Sequence, residues 1–228
     1  MVIHILTLFP KVFEPVFASS ILKRAQDKKI VQVKLYNLRD WALDKHGTVD
    51  DRPYGGGPGM ILRVEPIYQA IKDIKNKAKT KKIKTFLLSP QGKIFNQSLA
   101  RELSNLEEIL LICGHYEGFD ERIRNFVDDE ISIGDYILTG GEIPAMAITD
   151  AIVRLVPGVL KKPTATEEES FSPGLSKVNP RQKNWLEYPQ YTRPKTFQGL
   201  KVPEVLLSGD HKKIKNWQKK HLKEKNDH

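Results

Sequence analysis

From residue 2 to residue 156, short β-branched apolar runs alternate with stretches of helical period. That alternation narrows the fold more than any single motif does. Residues 2–9, 30–38, 85–89, 109–113 and 130–133 read as strands. Residues 13–28, 65–77, 97–106 and 143–156 read as helices. The first of these puts Phe17, Ile21, Leu22 and Ala25 on one face, with Pro15 tolerated in its opening turn. Strands separated by helices predict an α/β chain, a largely parallel sheet covered on both faces. No internal repeat is visible.

The chain has 228 residues, 39% of them hydrophobic and 29% charged. That is enough for one large domain, or for one of about 150 residues with a small companion. No apolar run approaches the roughly 18 residues that would cross a membrane, and residues 1–6 carry no basic leader or cleavage signal, so no membrane association is expected. A single cysteine, Cys113, excludes an intrachain disulfide framework and predicts a cytoplasmic protein. No Cys/His cluster has zinc spacing, so no structural metal is expected.

After Pro157-Gly158 the texture changes. Residues 161–190 are rich in Pro, Ser, Glu and Asn without a sustained period and read as a linker between a domain of residues 1–160 and one of residues 191–228. Residues 204–207 form a short helix and 210–225 a longer Lys-rich one, with Ile214 and Trp217 as its main apolar side chains. Charge is uneven: residues 161–228 hold 15 Lys/Arg against 8 Asp/Glu, whereas residues 1–160 hold 22 against 20. A basic appendage bearing Trp185, Tyr188, Tyr191 and Trp217 points to nucleic acid, since aromatics offer stacking faces and Lys/Arg neutralise phosphate. A solvated tail is the simpler reading of the same charge.

Residues 132–146 carry the most chemistry. A strand-like approach runs into Gly134, and Gly140 and Gly141 precede a helix, with Asp135 between the glycines and Glu142 directly after them. Strand, open glycine loop and helix start are how α/β sheets offer main-chain groups to a small molecule. A structural loop needs only one of those glycines. No phosphate-binding G-x-x-x-x-G-K-[ST] occurs, and Gly55-Gly56-Gly57-Pro58-Gly59 has Met60 where a dinucleotide fingerprint would need its last glycine.

Five segments stand out in order: residues 52–60 (Arg-Pro-Tyr-Gly-Gly-Gly-Pro-Gly-Met), 88–92 (Leu-Ser-Pro-Gln-Gly), 113–122 (Cys-Gly-His-Tyr-Glu-Gly-Phe-Asp-Glu-Arg), 132–146, and 188–194 (Tyr-Pro-Gln-Tyr-Thr-Arg-Pro). Together they resemble the bacterial tRNA (guanine-37-N1)-methyltransferases of the SPOUT class, and the likeness runs from Met1 to about Trp217. The resemblance implies a SPOUT-type parallel sheet with a deep trefoil knot and a small helical C-terminal domain. It implies S-adenosylmethionine bound in the knot loops. From the first loop these are Leu88, Ser89 and Pro90; from the second, Gly114, Tyr116, Glu117 and Gly118. The third supplies Ile133, Gly134, Asp135, Tyr136, Ile137 and Leu138, then Gly140, Gly141 and, on the helix, Pro144. Main-chain groups around Tyr136 and Leu138 would hold the adenine. The resemblance further implies a homodimer that completes each site across subunits, and a C-terminal domain that grips the anticodon stem-loop of tRNA.

Guanine N1 carries a proton, so a base must remove it before a methyl group is accepted. Charge then develops on O6, which calls for a fixed cation or N–H donor. By resemblance the donor is Arg154 and the base Glu169, within Thr166-Glu167-Glu168-Glu169-Ser170-Phe171. The sulfonium is already activated, so no metal ligand is assigned; whether Mg2+ assists proton removal stays open.

The chain departs from the family pattern at three places. Glu169 stands where the family has aspartate; either the backbone adjusts, or Glu168 or Glu167 acts instead. His115 stands where arginine is usual, as a polar loop residue or as a substrate contact. Residues 176–185 look inserted and bring Lys177, Arg181, Lys183 and Trp185, as a surface excursion or as extra RNA contacts. The glycine loop after Asp50, Asp51 and Arg52 is expected to help close over the target base, with Tyr54 merely packing. Two other readings remain: a SPOUT methyltransferase with a different RNA target, or a catalytically impaired RNA-binding homologue.

Overall fold

A computed structural model describes residues 1–78, 80, 82–167, 169–172, 175 and 185–224. The chain divides into two compact units, Met1–Lys161 and Lys162–His228.

The first unit is built on a five-stranded sheet of β1 (Val2–Thr7), β2 (Gln32–Asn37), β5 (Lys84–Ile94), β6 (Glu108–Cys113) and β7 (Asp129–Ser132), in the order β2-β1-β6-β5-β7. Every pairing in it is parallel. Successive side chains of a strand point to opposite faces, and both faces are covered here, so β1 and β6 are buried almost throughout and mainly apolar, with His4, Thr7 and Glu108 as buried polar exceptions. Ile3, Ile5, Ile109 and Leu111 face one core, formed with α2 (Ser20–Asp27), α4 (Gln97–Ser104) and α5 (Glu142–Val153). Leu6, Leu110 and Ile112 face the other, against α3 (Val64–Lys77) through Ile67, Ala70, Ile71 and Ile74. A small antiparallel ladder, β3 (Asp50–Asp51) with β4 (Ile61–Leu62), brackets the first glycine loop.

Three elements differ from the sequence reading. The helix expected over residues 13–28 is broken into α1 (Glu14–Phe17) and α2. Ser20 takes a left-handed φ of 48°, and the Ser19 hydroxyl donates to the Pro15 carbonyl at 2.6 Å, the kind of local side-chain bond that competes with helix continuation. The strand expected over 85–89 continues to Ile94: β5 leaves its register after Leu88, and pairs with β7 again at Lys93↔Ile131. The helix expected over 210–225 spans only His211–Lys220, and Lys223–Glu224 pairs antiparallel with Trp185–Leu186.

That last pairing places the end of the stretch read as linker inside the second unit. The unit also contains a hairpin of Thr196–Phe197 and Leu200–Lys201 and a short helix, Glu204–Leu207. Asp210 caps the Lys-rich helix, its carboxylate accepting from the Lys212 and Lys213 N–H groups at 3.0 and 3.1 Å. Around Trp217 gather His221 (rings stacked at 4.0 Å), Tyr191 (6.3 Å) and Tyr188 (6.5 Å). Most of the segment read as an insertion, with Lys177, Arg181 and Lys183, lies outside the described residues, as does Glu168.

Candidate active site

The point after Leu88 where β5 leaves its register lies in the sheet beside the carboxyl ends of β6 and β7, where open parallel sheets place their ligands. The loops leaving them enclose a cavity of about 240 Å³. From β5 come Leu88, Ser89 and Pro90. The loop after β6 brings Gly114, Tyr116, Glu117 and Gly118. The stretch between β7 and α5 brings Ile133, Gly134, Tyr136, Ile137, Leu138, Gly140 and Gly141, with Pro144 from the helix. Of the residues assigned to the cofactor from sequence, only Asp135 is absent from this lining; it is exposed to solvent. His115, Phe119, Ile131, Ser132 and Thr139 line the cavity too.

Close packing explains the loop sequences. The Gly141 N–H donates to the Gly114 carbonyl at 2.8 Å, and a Cβ on Gly141 would lie 2.6 Å from the Cys113 Cα. A Cβ on Gly140 would lie 2.3 Å from His115 Nε2. Beneath these glycines, Glu142 is 8% exposed. Its Oε1 accepts from the Thr7 hydroxyl at 2.6 Å and its Oε2 from His115 Nε2 at 3.0 Å. The Phe9 N–H donates to Thr7 Oγ1 at 2.9 Å, and the Phe9 and His115 rings meet edge to face at 5.0 Å. His115 is therefore fixed by a buried carboxylate at the cavity wall. Burial, with the charge of Glu142 as a lesser cause, pushes the Cys113 thiol well up, so it stays protonated and inert.

A second polar cluster holds the β5 excursion. Glu130 accepts from the Ser89 hydroxyl and from Arg124, and Arg124 Nη2 donates to Gln91 Oε1 at 2.6 Å. Gly92 passes so near β7 that a Cβ there would sit 2.4 Å from the Ile131 nitrogen. Neither cluster was visible in the sequence, because Thr7 and Glu142 are 135 residues apart and Gln91 and Arg124 are 33 apart.

The Gly55–Gly59 loop is stitched to the same rim. The Leu62 N–H donates to the Gly118 carbonyl at 2.9 Å, and the Glu117 N–H to the Met60 carbonyl at 3.0 Å. Tyr54 does not pack as expected from sequence: it is 102% exposed.

Arg154 belongs to the first unit and is the C-cap of α5; its N–H donates to the Asp150 carbonyl at 3.2 Å, and its charge suits a helix C-terminus. Glu169 belongs to the second unit, where its carbonyl accepts from the Ser172 N–H at 3.0 Å. The Ser-Phe turn is tied down further: the Phe171 N–H donates to the Trp185 carbonyl at 2.8 Å, and the Glu187 N–H to Ser170 Oγ at 3.1 Å. Among the described residues no group of three or more His, Cys, Asp or Glu could hold a metal ion, and no helix is long and apolar enough to cross a membrane.

Comparison with known proteins gives the site its context. The profile of the family described as tRNA (Guanine-1)-methyltransferase TrmD matches residues 1–228. A tRNA (guanine-N(1)-)-methyltransferase of Carboxydothermus hydrogenoformans is 58% identical over 222 residues, 96% of this chain and 82% of that protein. The Staphylococcus carnosus protein of the same name is 56% identical over 218 residues, 95% of this chain and 84% of that protein. The crystal structure of tRNA (m1G37) methyltransferase from Aquifex aeolicus superposes with a TM-score of 0.77 at 42% identity, covering 97% of this chain and 88% of that one. With the α/β SPOUT-type sheet and the strand-end cavity in place, the chain belongs to the tRNA (guanine-1)-methyltransferase TrmD family.

Proposed function

We propose that the chain transfers the methyl group of S-adenosylmethionine to N1 of guanosine 37 in tRNA, using the strand-end cavity for the cofactor, Glu169 as base and Arg154 to stabilise O6. In class it is an S-adenosylmethionine-dependent tRNA (guanine-N1)-methyltransferase, as its family is. The observation that carries the residue-level reading is the cavity itself. Leu88, Ile133, Leu138 and Pro144 give it apolar walls suited to a nucleobase. The N–H groups of Ile137 and Leu138 have no backbone acceptor among the described residues, leaving donors for a base edge. The residues present therefore fit the group.

S-adenosylmethionine, when bound, supplies a methyl group already activated on a sulfonium sulfur. The protein's own task is deprotonation and charge stabilisation. Glu169 takes the N1 proton; the Arg154 guanidinium faces the charge that grows on O6. The turn that carries Glu169 is held at Ser170 and Phe171 by hydrogen bonds with Glu187 and Trp185. The basic second unit, with 15 Lys/Arg against 8 Asp/Glu, binds the anticodon stem-loop. A homodimer that completes each site, a knotted path through the cavity loops and a cytoplasmic location belong to the same reading.

Labelled methyl transfer to transcripts with G37 or A37 tests it. G37 transcripts accept methyl groups and A37 transcripts do not; Glu169→Ala and Arg154→Ala each lose about 10²- to 10⁴-fold in rate, while Glu169→Asp stays active. Equal transfer to A37 would redirect the reading to another RNA position. No transfer at all would leave an RNA-binding homologue, the alternative that Glu169 keeps alive. Activity that survives chelation removes any need for Mg2+.

A further inference from the structure

Tyr54 is the most exposed large apolar side chain among the described residues. An aromatic ring carries about 150–250 Å² of surface that gains from burial, yet this one is left fully open by the described residues. Its loop is not loosely hung. The β3–β4 ladder closes its base at Asp51↔Ile61, and the Glu117 N–H to Met60 carbonyl bond fixes it to the cavity rim. The ring is held out, at the edge of the site, by a frame that does not use it.

The surrounding charges indicate what it meets. Arg52, two residues earlier, is exposed, and Arg122, paired with Asp120 at 2.6 Å, lies within electrostatic range of the Tyr54 hydroxyl. An open aromatic face with guanidinium groups beside it is the chemistry that recognises unpaired RNA, stacking on a base and neutralising phosphate. The reaction supplies such a base. Guanine N1 lies on the pairing edge, so the target must be unpaired and drawn from its stack before a methyl group can reach it. Its neighbour is then left with one face uncovered.

We propose that Tyr54 is a stacking platform for an unpaired base adjoining the target guanosine. The inference rests on the tRNA methyltransferase reading and adds a substrate contact to it. The test uses full-length protein with Tyr54→Ala, Tyr54→Phe and Tyr54→Trp, and an anticodon stem-loop carrying 2-aminopurine beside the target. Tyr54→Ala loses about 10- to 100-fold in RNA affinity and the fluorescence quench of the probe. Tyr54→Phe and Tyr54→Trp keep both, because stacking needs the ring and not the hydroxyl. S-adenosylmethionine affinity and thermal midpoint stay unchanged in all three. RNA binding by Tyr54→Ala equal to the native chain overturns the inference, as does a loss in Tyr54→Phe as large as in Tyr54→Ala. A changed oligomeric state in Tyr54→Ala also overturns it, assigning the ring to a second copy of the chain. A native chain that binds no tRNA fails the methyltransferase reading itself; a native chain that methylates G37 beside an unaffected Tyr54→Ala fails the platform alone.

Discussion

Two glycine-rich segments of this chain look alike as text and differ in physics. At Gly141 a Cβ would press on the backbone of Cys113 and Gly114, at 2.6 and 2.8 Å. At Gly56 nothing lies within 4 Å of that position, and glycine is needed only because φ is +81°. The first glycine allows two loops to touch and so forms the cavity wall. The second lets the chain turn in open solvent and hold Tyr54 away from the body. One is a requirement of packing, the other of backbone conformation.

Gly141→Ala is therefore the more damaging change. Backbone has to move, since the obstructing atoms belong to the main chain rather than to a flexible side-chain end. A shift near 1 Å in the wall costs about a hundredfold in cofactor affinity or turnover, and overpacking destabilises by about 1–3 kcal/mol. Calorimetric titration with S-adenosylmethionine and urea unfolding measure the two separately. A fully functional Gly141→Ala would dissolve the distinction between the segments.

Glu130→Gln is the next largest. It keeps the shape at the β5 excursion but removes the charge that accepts from Ser89 and Arg124. A hydrogen bond to a charged group contributes about 1.5–3 kcal/mol, so stability falls by roughly that amount. Ser89 and Pro90 lose their restraint, and the KM for S-adenosylmethionine rises more than kcat falls. A fall in kcat at constant KM would show that the cluster supports something other than the cofactor loop.

The sheet was legible through its short runs bearing Ile, Leu and Val: β1, β2, β6 and β7 stand within two residues of where those runs put them. The cavity loops were legible through their glycines and through family likeness. What stayed hidden depends on partners remote in sequence or on a single dihedral angle. Ser20 breaks a helix whose apolar period continues without interruption. Pro90 and Gly92 read as the end of a strand, because the re-pairing at Lys93 depends on β7, about forty residues on. Thr7, His115 and Glu142 are ordinary polar residues until folding brings them together. The two roles of glycine cannot be told apart without knowing what lies where the Cβ would be.

Between the two segments in expected effect stands a buried polar site within the sheet. His4 is 1% exposed; its Nε2 is 2.9 Å from Glu108 Oε2 and its Nδ1 3.0 Å from the Tyr36 hydroxyl. Neutral histidine satisfies both, donating to the carboxylate and accepting from the phenol. Burial lowers the His4 pKa below 6.5, overriding the opposing pull of Glu108, and Lys34 adds to the lowering. The unfolded chain then binds the proton more readily than the folded one, so stability is complete above about pH 6.5 and declines as the pH falls below it. In His4→Gln the amide can still donate to Glu108 and accept from Tyr36, and the acid-side slope of urea stability becomes shallower. An unchanged slope would place the titration elsewhere.

Gly56→Ala is the smallest change and the sharpest check on the comparison. The added methyl meets no atom, so the whole cost is that of holding an L residue at positive φ, about 1–2 kcal/mol. Part of that is offset because alanine leaves the unfolded chain less freedom to lose. Urea unfolding should register a loss of about 1 kcal/mol, and S-adenosylmethionine should bind as it does to the native chain, since no cavity atom is displaced. A drop in cofactor affinity approaching that of Gly141→Ala would mean that the exposed loop bears on the cavity wall, and the two glycine segments would then be one structural device rather than two.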